Sequence, residues 1–319
     1  MKVNEIANLG NNVKTMIKNE SCTVLMMNDV TGEGIMTVYQ VMPGVMICFS
    51  DMHMEKCDSE FELQKDKKVL CIDHCREGRI EMEVQPGVFS IMQENELRLD
   101  NRENHKGTTY YPLRHYHGVS VFMDVEETQK ALDTMFLGFS VDIAQLRMRY
   151  CTQDKPYVIR NDEGLSRIIS SFYRRNMERP EILASKEYYQ IKVVEMLLYL
   201  ETMTVENSRE IRPYYYKTQM EKIKAVHAQI TGDLKTRFTI EDLSSMYDMP
   251  ATTMKKCFKD VYGERYRVNV AASMLMQDAD REIQDIAACV GYENPGKFSV
   301  AFRSVMGVSP AEYRIRKEG

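Results

Sequence analysis

Tryptophan is absent from this chain, and its eight cysteines include no C-x-x-C pair. In a sequence this long, scattered cysteines predict reduced thiols and a cytoplasmic protein rather than a disulfide framework. No apolar run approaches the ~18 residues of a membrane-spanning helix, so no membrane partner is expected. The opening MKVNEIANLGNN has no apolar signal core, so export is not expected. Also missing are a P-loop, a G-x-G-x-x-G fingerprint and a Ser/His/Asp arrangement. No enzyme is therefore expected, and no catalytic residue or cofactor is assigned. Methionine, by contrast, is abundant at 24 residues.

The composition, 44% hydrophobic and 28% charged over 319 residues, suits a globular protein of about two domains. Charge is uneven. Residues 213–319 hold 16 Lys+Arg against 14 Asp+Glu, which leaves 26 against 33 in residues 1–212. The second part is the better polyanion binder, but an excess of two charges is small, so any DNA contact must come from local clustering.

The most informative stretch is IQDIAACVGYENPGKFSVAFRSVMG, Ile283 to Gly307. Ile283, Ile286, Ala287 and Val290 lie at i, i+3, i+4, i+7, one apolar helical face. Gly291 follows where a left-handed residue ends a helix. Asn294 can cap the next helix, with Pro295 in its first turn. Phe298, Ala301, Phe302 and Val305 repeat the spacing, and Gly307 stops it. Two short amphipathic helices joined by a glycine turn read as helix-turn-helix. The plain alternative is a hairpin in a helical bundle.

The pattern recurs upstream. Ile240, Leu243 and Tyr247 precede Ile283, Ile286 and Val290 by 43 residues, and Met254, Phe258, Val261 and Gly263 precede their counterparts by 44. Residues 239–263 are thus a second unit of the same kind. Thr239 with Asp242 forms a candidate capping box, and Ser309 with Glu312 another. Asp248 stands where the later unit has Gly291, and Pro250 where it has Asn294, so the first unit's turn and cap should be weaker.

The run from Ile283 to Arg314 resembles the C-terminal signature of the AraC/XylS family of bacterial transcription regulators. The matching positions are Ile283, Ile286, Ala287, Gly291, Tyr292, Phe298, Phe302, Arg303, Gly307, Ser309, Pro310, Tyr313 and Arg314. The resemblance implies two helix-turn-helix units behind a variable sensing domain. Arg267 and Ala271 keep the family's spacing in the helix between the units. Yet only three residues separate Gly263 from Arg267, where the family has roughly seven more, about two helical turns.

Before this domain the periodicity differs. Residues 1–34 are polar and without clear pattern. From Ile35 to Met123 short β-rich runs alternate with Pro-Gly and Glu-Gly turns, as in a sandwich or barrel. Family resemblance implies a cupin-like sensing barrel there. From about Glu126 to Met203 the period is helical, ending in SKEYYQIKVVEMLLYLETM. Val194, Leu197, Leu198 and Glu201 place an apolar stripe beside a charged face. That stripe serves either packing on the barrel or dimerisation through Val194, Leu197 and Leu198, as in many family members.

The expected organisation is an α+β multidomain chain. A sensing and dimerisation domain covers 1–203, with a cupin-like β-barrel over about 35–125 and helices over about 126–203. A linker follows at 204–216, where periodicity lapses around Arg212-Pro213. An all-α tandem helix-turn-helix domain fills 217–319. The expected function is sequence-specific transcription regulation, in the sense of an activator, controlled by a small-molecule effector of unread identity. Expected partners are double-stranded DNA, the effector and a second copy of the chain, with RNA polymerase open as a further one.

In a helix-turn-helix the second helix enters the major groove, and its N-terminal residues meet base edges. The outward positions are Ala251, Thr252, Thr253, Lys255, Lys256 and Lys259 in the first unit. In the second they are Asn294, Gly296, Lys297, Ser299, Val300 and Arg303. Lysine, arginine, asparagine and threonine can read bases, while Lys256, Lys259 and Arg303, further along, suit phosphates. A solvated face explains any single lysine equally well.

One metal-based alternative is a cupin-type metal enzyme fused to a helical domain. His115 and His117 share a side of a strand and could combine with His53 or His105, while Cys71, His74 and Cys75 form another cluster. No carboxylate is evident at ligand spacing beside either, so no metal site is assigned, and the tandem repeat argues against an enzyme.

Overall fold

In the computed structural model, the described residues are 7–8, 13–18, 22–59, 62–63, 67–103, 107–151, 156–160, 162–173, 186–203, 215–232, 238–278 and 280–315. The chain divides into two compact units. One comprises residues 1–86 and 92–213, the other 87–91 and 214–319. The first is rich in sheet and the second is helical.

The strands are β1 Ala7–Asn8, β2 Val13–Lys18, β3 Thr23–Asp29, β4 Gly32–Met42, β5 Val45–His53, β6 Lys56–Ser59, β7 Glu62–Leu63, β8 Val69–Gly78, β9 Ile80–Gln85, β10 Val88–Met92, β11 Leu97–Asp100, β12 Gly107–Tyr110, β13 Tyr116–Asp124, β14 Tyr157–Ile159 and β15 Tyr215–Tyr216. Eight of them form an antiparallel sheet in the order β14-β11-β8-β13-β5-β4-β3-β2. Strand β12 lies between β6 and β9, and β1 pairs with β7. The eight-stranded sheet has β14 and β2 at its ends.

Tight turns set these pairings. Gly44, at φ +79°, joins β4 to β5, and a Cβ there would sit 2.4 Å from the Thr128 amide nitrogen. Only glycine fits both the backbone and the space. Central β8, VLCIDHCREG, is buried at its first seven positions. A strand covered on both faces reads as a continuous apolar run rather than an alternation.

The first unit's helices are α1 Val125–Met135, α2 Ile143–Tyr150, α3 Glu163–Tyr173 and α4 Lys186–Thr202. Asp124 and Asp142 cap α1 and α2 through their side chains. Ile143, Leu146, Leu165, Phe172, Tyr189 and Leu200 join Val45, Ile47, Leu70, Ile72 and Val121 in one core. Gln190 Nε2 donates to the Val41 carbonyl at 2.6 Å, fixing α4 on β4.

That packing revises the stripe read from α4. Its buried side chains are Tyr189, Val193, Val194, Met196, Leu197 and Leu200. Val194 and Leu197 therefore lie inside their own unit's core, while Leu198 and Ile191 are exposed. The buried face is centred on Val193 and Leu200, about one position round the helix from the expected one.

Three further expectations change. Strands begin at Ala7, well before Ile35. The region 126–203 includes strand β14, paired with β11. Of the linker, residues 204–214 lie outside the described residues, whereas Tyr215 and Tyr216 pair as a strand with Phe89 and Val88. These five-residue and two-residue segments, remote in sequence, join through backbone hydrogen bonds that local periodicity cannot reveal.

The second unit continues with α5 Lys217–Gly232, α6 Ile240–Met246, α7 Ala251–Gln277, α8 Ile283–Cys289, α9 Pro295–Met306 and α10 Pro310–Ile315.

Within the first unit a buried ionic row crosses three strands. Arg98 and Ser120 both stand opposite Asp73 in the pairing register. Arg98 Nη2 lies 2.8 Å from Asp73 Oδ2, Arg102 Nη2 2.6 Å from Oδ1, and Ser120 Oγ donates to Oδ1 at 2.6 Å. Burial by itself would raise the Asp73 pKa, but Arg102 and Arg98 outweigh it and hold the carboxyl well below the usual range.

Candidate nucleic-acid interface

Two helix-turn-helix units occupy the helical unit: α6 with the first part of α7, and α8 with α9. Thr239 opens the first unit with a full capping box. Its hydroxyl accepts from the Asp242 amide at 3.0 Å, and Asp242 Oδ2 accepts from the Thr239 amide at 2.8 Å. Ser309 and Glu312 cap α10 in the same way.

The turns carry the expected backbone signs. Gly291 has φ +83° and Asp248 has φ +45°, so aspartate adopts the left-handed conformation that glycine takes in the second unit. Lys222 Nζ donates to the Asp248 carbonyl at 2.7 Å and steadies that turn. Gly307 ends α9 at φ +76°. Its counterpart Gly263, at φ +73° and ψ +176°, interrupts α7 and divides the first reading helix from the connecting helix.

Helix α9 starts at Asn294, whose side chain accepts from the Lys297 amide at 3.0 Å. The first reading helix starts at Pro250, which makes no side-chain cap. Asn294→Ala is expected to cost about 1 kcal/mol of C-terminal stability through loss of this cap, measured by urea unfolding. An unchanged midpoint would mean that solvent serves the end of α9 equally well.

Every outward residue read from the sequence stands at the surface or is half-buried. Thr252, Lys256, Lys259, Asn294, Gly296, Lys297, Val300 and Arg303 are exposed, while Ala251, Thr253, Lys255 and Ser299 are half-buried. Two of them have local commitments. Ser299 Oγ donates to the Pro295 carbonyl at 3.0 Å, and one Asn294 acceptor position serves the cap. That commitment limits Asn294 as a base reader, since the usual adenine contact uses both ends of the amide. Arg303 Nη2 stands 3.8 Å from Glu312 Oε2, with both side chains largely in water. Such an exposed pair is weak and easily exchanged for a phosphate.

Behind this surface, Phe298, Ala301 and Phe302 are buried. Two buried arginines connect the units. Arg267 Nε donates to the Val290 carbonyl at 2.5 Å, and its guanidinium lies 3.8 Å from the Tyr292 ring centre. Arg281 Nη2 donates to the Phe238 carbonyl at 2.6 Å, and Arg314 Nη2 donates to the Arg281 carbonyl at 2.5 Å. Arg281 has no distinguishing mark in the sequence. It stands between Asp280 and Glu282 like an ordinary surface charge, and only the burial of its side chain shows its role.

Among the described residues, His53 and His115 lie together, His74 and His117 flank Tyr173, and His227 stacks on Tyr262 in the helical unit. His74 is buried with its Nδ1 2.9 Å from the Tyr173 hydroxyl. His53 and His115 lie side by side with Asp51, whereas His105 is outside the described residues. The carboxylate that seemed missing is Asp51, two residues before His53 and so on the same face of β5. The Cys71–His74–Cys75 cluster does not assemble as a ligand set, because Cys71 and Cys75 have separate partners, Asp73 and the Glu77 and Gly78 carbonyls.

Residues 243–316 match the family model described as a helix-turn-helix domain. A putative AraC-like transcription regulator from Streptomyces lividans is 31% identical over 84 residues, which cover 24% of this chain and 27% of that protein. The matched segment thus spans about a quarter of that relative's length. Among solved structures, ToxT from Vibrio cholerae is 14% identical, with 85% of this chain and 98% of that chain covered and a TM-score of 0.29. The DNA-binding domain of AdpA, solved in complex with a target DNA, is 25% identical, with 30% and 93% covered and a TM-score of 0.19. The C-terminal part of this chain is a helix-turn-helix domain, similar in sequence to part of an AraC-like regulator.

Proposed function

We propose, from this helix-turn-helix domain and its similarity to an AraC-like regulator, that the protein is a sequence-specific DNA-binding transcription regulator of the AraC type. The observation that carries the reading is the repeated unit itself. Each copy holds an apolar face inward and presents lysine, threonine or arginine on the outer face of its second helix. Two units in one chain would read two successive major-groove segments about one helical turn apart.

Lys256, Lys259 and Arg303 are assigned to phosphates. Each neutralised phosphate adds about 0.9 to the log–log salt slope, so three give a slope near −2.7. Affinity of the full chain for its selected duplex should then fall about 40-fold between roughly 50 and 200 mM salt. Fluorescence anisotropy reads this directly, and a flat salt response sinks the phosphate assignment.

Lys297 lies in the first turn of α9, and Arg303 nearly two turns later. Lys297→Ala is expected to relax specificity by about 1–3 kcal/mol at one position, while Arg303→Ala weakens binding to all sequences alike. Selection from a randomised duplex library separates the two. If Arg303→Ala changes the preferred sequence and Lys297→Ala does not, the helix sits in the groove in the reverse sense.

The N-terminal unit, residues 1–203 by sequence, is proposed as a cupin-like sensing and dimerisation domain, with 204–216 joining it to the DNA-binding domain at 217–319. Support comes from its antiparallel strands and from a methionine-rich cluster of Met27, Met52, Met54, Met82 and Met92 beside Tyr111 and Tyr116. Such side chains repack readily around a small apolar molecule. Thermal-shift screening of the full chain against metabolites tests the effector, and sedimentation tests the homodimer. A chain that stays monomeric and gains no stability from any metabolite argues for a DNA-binding protein without effector control.

A further inference from the structure

We propose that Asp51, His53 and His115 form a binding site for a divalent transition-metal ion of the zinc class, a property separate from DNA reading. One ligand atom from each of the three lies within 4.8 Å of the others. His53 Nε2 is 3.0 Å from Asp51 Oδ1, and the two imidazole centres are 5.2 Å apart.

The arrangement follows from the sheet. Strands β5 and β13 pair with Met52 opposite Tyr116 and Asp51 opposite His117. One step further along the same antiparallel ladder sets His53 beside His115. Asp51 and His53, two apart on one strand, share a face. A surface His–Asp pair explains His53 alone. It does not explain a second imidazole drawn into the same cluster.

The backbone on both sides is closely held. A Cβ on Gly32 would lie 2.1 Å from the His53 carbonyl oxygen, and one on Gly78 would lie 2.0 Å from that of His115. Both glycines have positive φ, so neighbouring chain approaches each histidine more closely than any other residue permits. Glu77 Oε2 stands 3.4 Å from His115 Nε2. A carboxylate beside a metal-bound imidazole commonly holds its orientation.

Two imidazoles and one carboxylate select borderline transition ions over Mg²⁺ and Ca²⁺, which prefer all-oxygen shells. Three protein ligands leave an open position for water or a further donor. The side chains are exposed, so the ion reaches them from solvent. Nearby Cys57 and Cys75 are buried and add no sulfur to the set.

The test is a titration of the reduced, metal-stripped full chain with Co²⁺, followed by competition with Zn²⁺ and with Mg²⁺. One site is expected, with d–d absorption but no thiolate charge-transfer band, displaced by Zn²⁺ and indifferent to Mg²⁺. His53→Ala and His115→Ala should each weaken binding on the order of 100-fold, since even an outer partner's loss costs ~10–100-fold. Asp51→Asn keeps the side chain's shape and reads the same site if a histidine variant melts early without metal. Wild-type affinity in these variants, a thiolate band, or displacement by Mg²⁺ overturns the assignment. No DNA is present, so the outcome is independent of the DNA-binding proposal.

Discussion

Phe302→Ala is expected to destabilise the C-terminal unit by about 3–5 kcal/mol, the usual cost of emptying a buried aromatic site. Phe302 is fully buried, 5.5 Å from the Phe298 ring and 5.4 Å from that of Tyr313, edge to face with both. It therefore holds α9 against α10 as well as filling the core. In a unit of this size that loss lowers the melting transition by more than ~10 °C. Calorimetry of the full chain should show the C-terminal transition moving alone. A variant that melts normally yet prefers a different DNA sequence would place Phe302 on the reading face and reverse the inward assignment of the helix.

Asp73→Ala is expected to have an effect of similar size in the N-terminal unit, about 3–5 kcal/mol. The loss does not measure an attractive pair alone. Buried Arg98 would lose its carboxylate partner, Arg102 would keep only Asp100, and the uncompensated charge of Arg98 in low dielectric is what makes the change severe. Ser120 would also lose its acceptor. Asp73→Asn preserves shape but not charge and should fail nearly as badly. Urea unfolding at neutral pH checks both, and a loss below ~1 kcal/mol would mean that water enters and solvates the arginines.

The same region sets the acid response. Burial, with Arg76 nearby, depresses His74 to about 4. Its unfolded value is near 6.5, so the neutral folded form contributes stability above that pH, lost as pH falls from about 6.5 towards 4. Asp73 is depressed as well, so its contribution is complete above an unfolded value of about 3.9 and fades below it. Acid unfolding should therefore begin with the depressed histidines, His74 and, through burial, His117, and His74→Gln should shrink the earlier limb while leaving the later one.

The features legible in the sequence are those settled within a few residues. The capping boxes at Thr239 and Ser309, the cap at Asn294, and the left-handed positions at Asp248, Gly291 and Gly307 all depend on local backbone chemistry. The internal repeat exposed them twice. The hidden features depend on partners distant in the chain. Asp73 meets Arg98 and Ser120 only once three strands are in register, and Asp51 is read as a neighbour of His115 only through the pairing of β5 with β13. The α4 stripe is displaced by about one position for a related reason. Apolar residues surround much of that helix, so the covered face is chosen by what the sheet offers, not by the helix's own pattern.

Under the proposed function, Gly263 has a geometric corollary for the DNA sites this protein would accept. It is the single non-helical residue between the first reading helix and the connecting helix, and Arg267, one turn later, is fastened to the second unit's turn. With so little slack, the pair of proposed reading surfaces is expected to behave as one rigid gauge. One base pair inserted between two half-sites turns the second by about a tenth of a revolution. A flexible tether would absorb that rotation. A gauge of fixed pitch cannot, so spacing becomes part of the recognised message alongside the bases themselves.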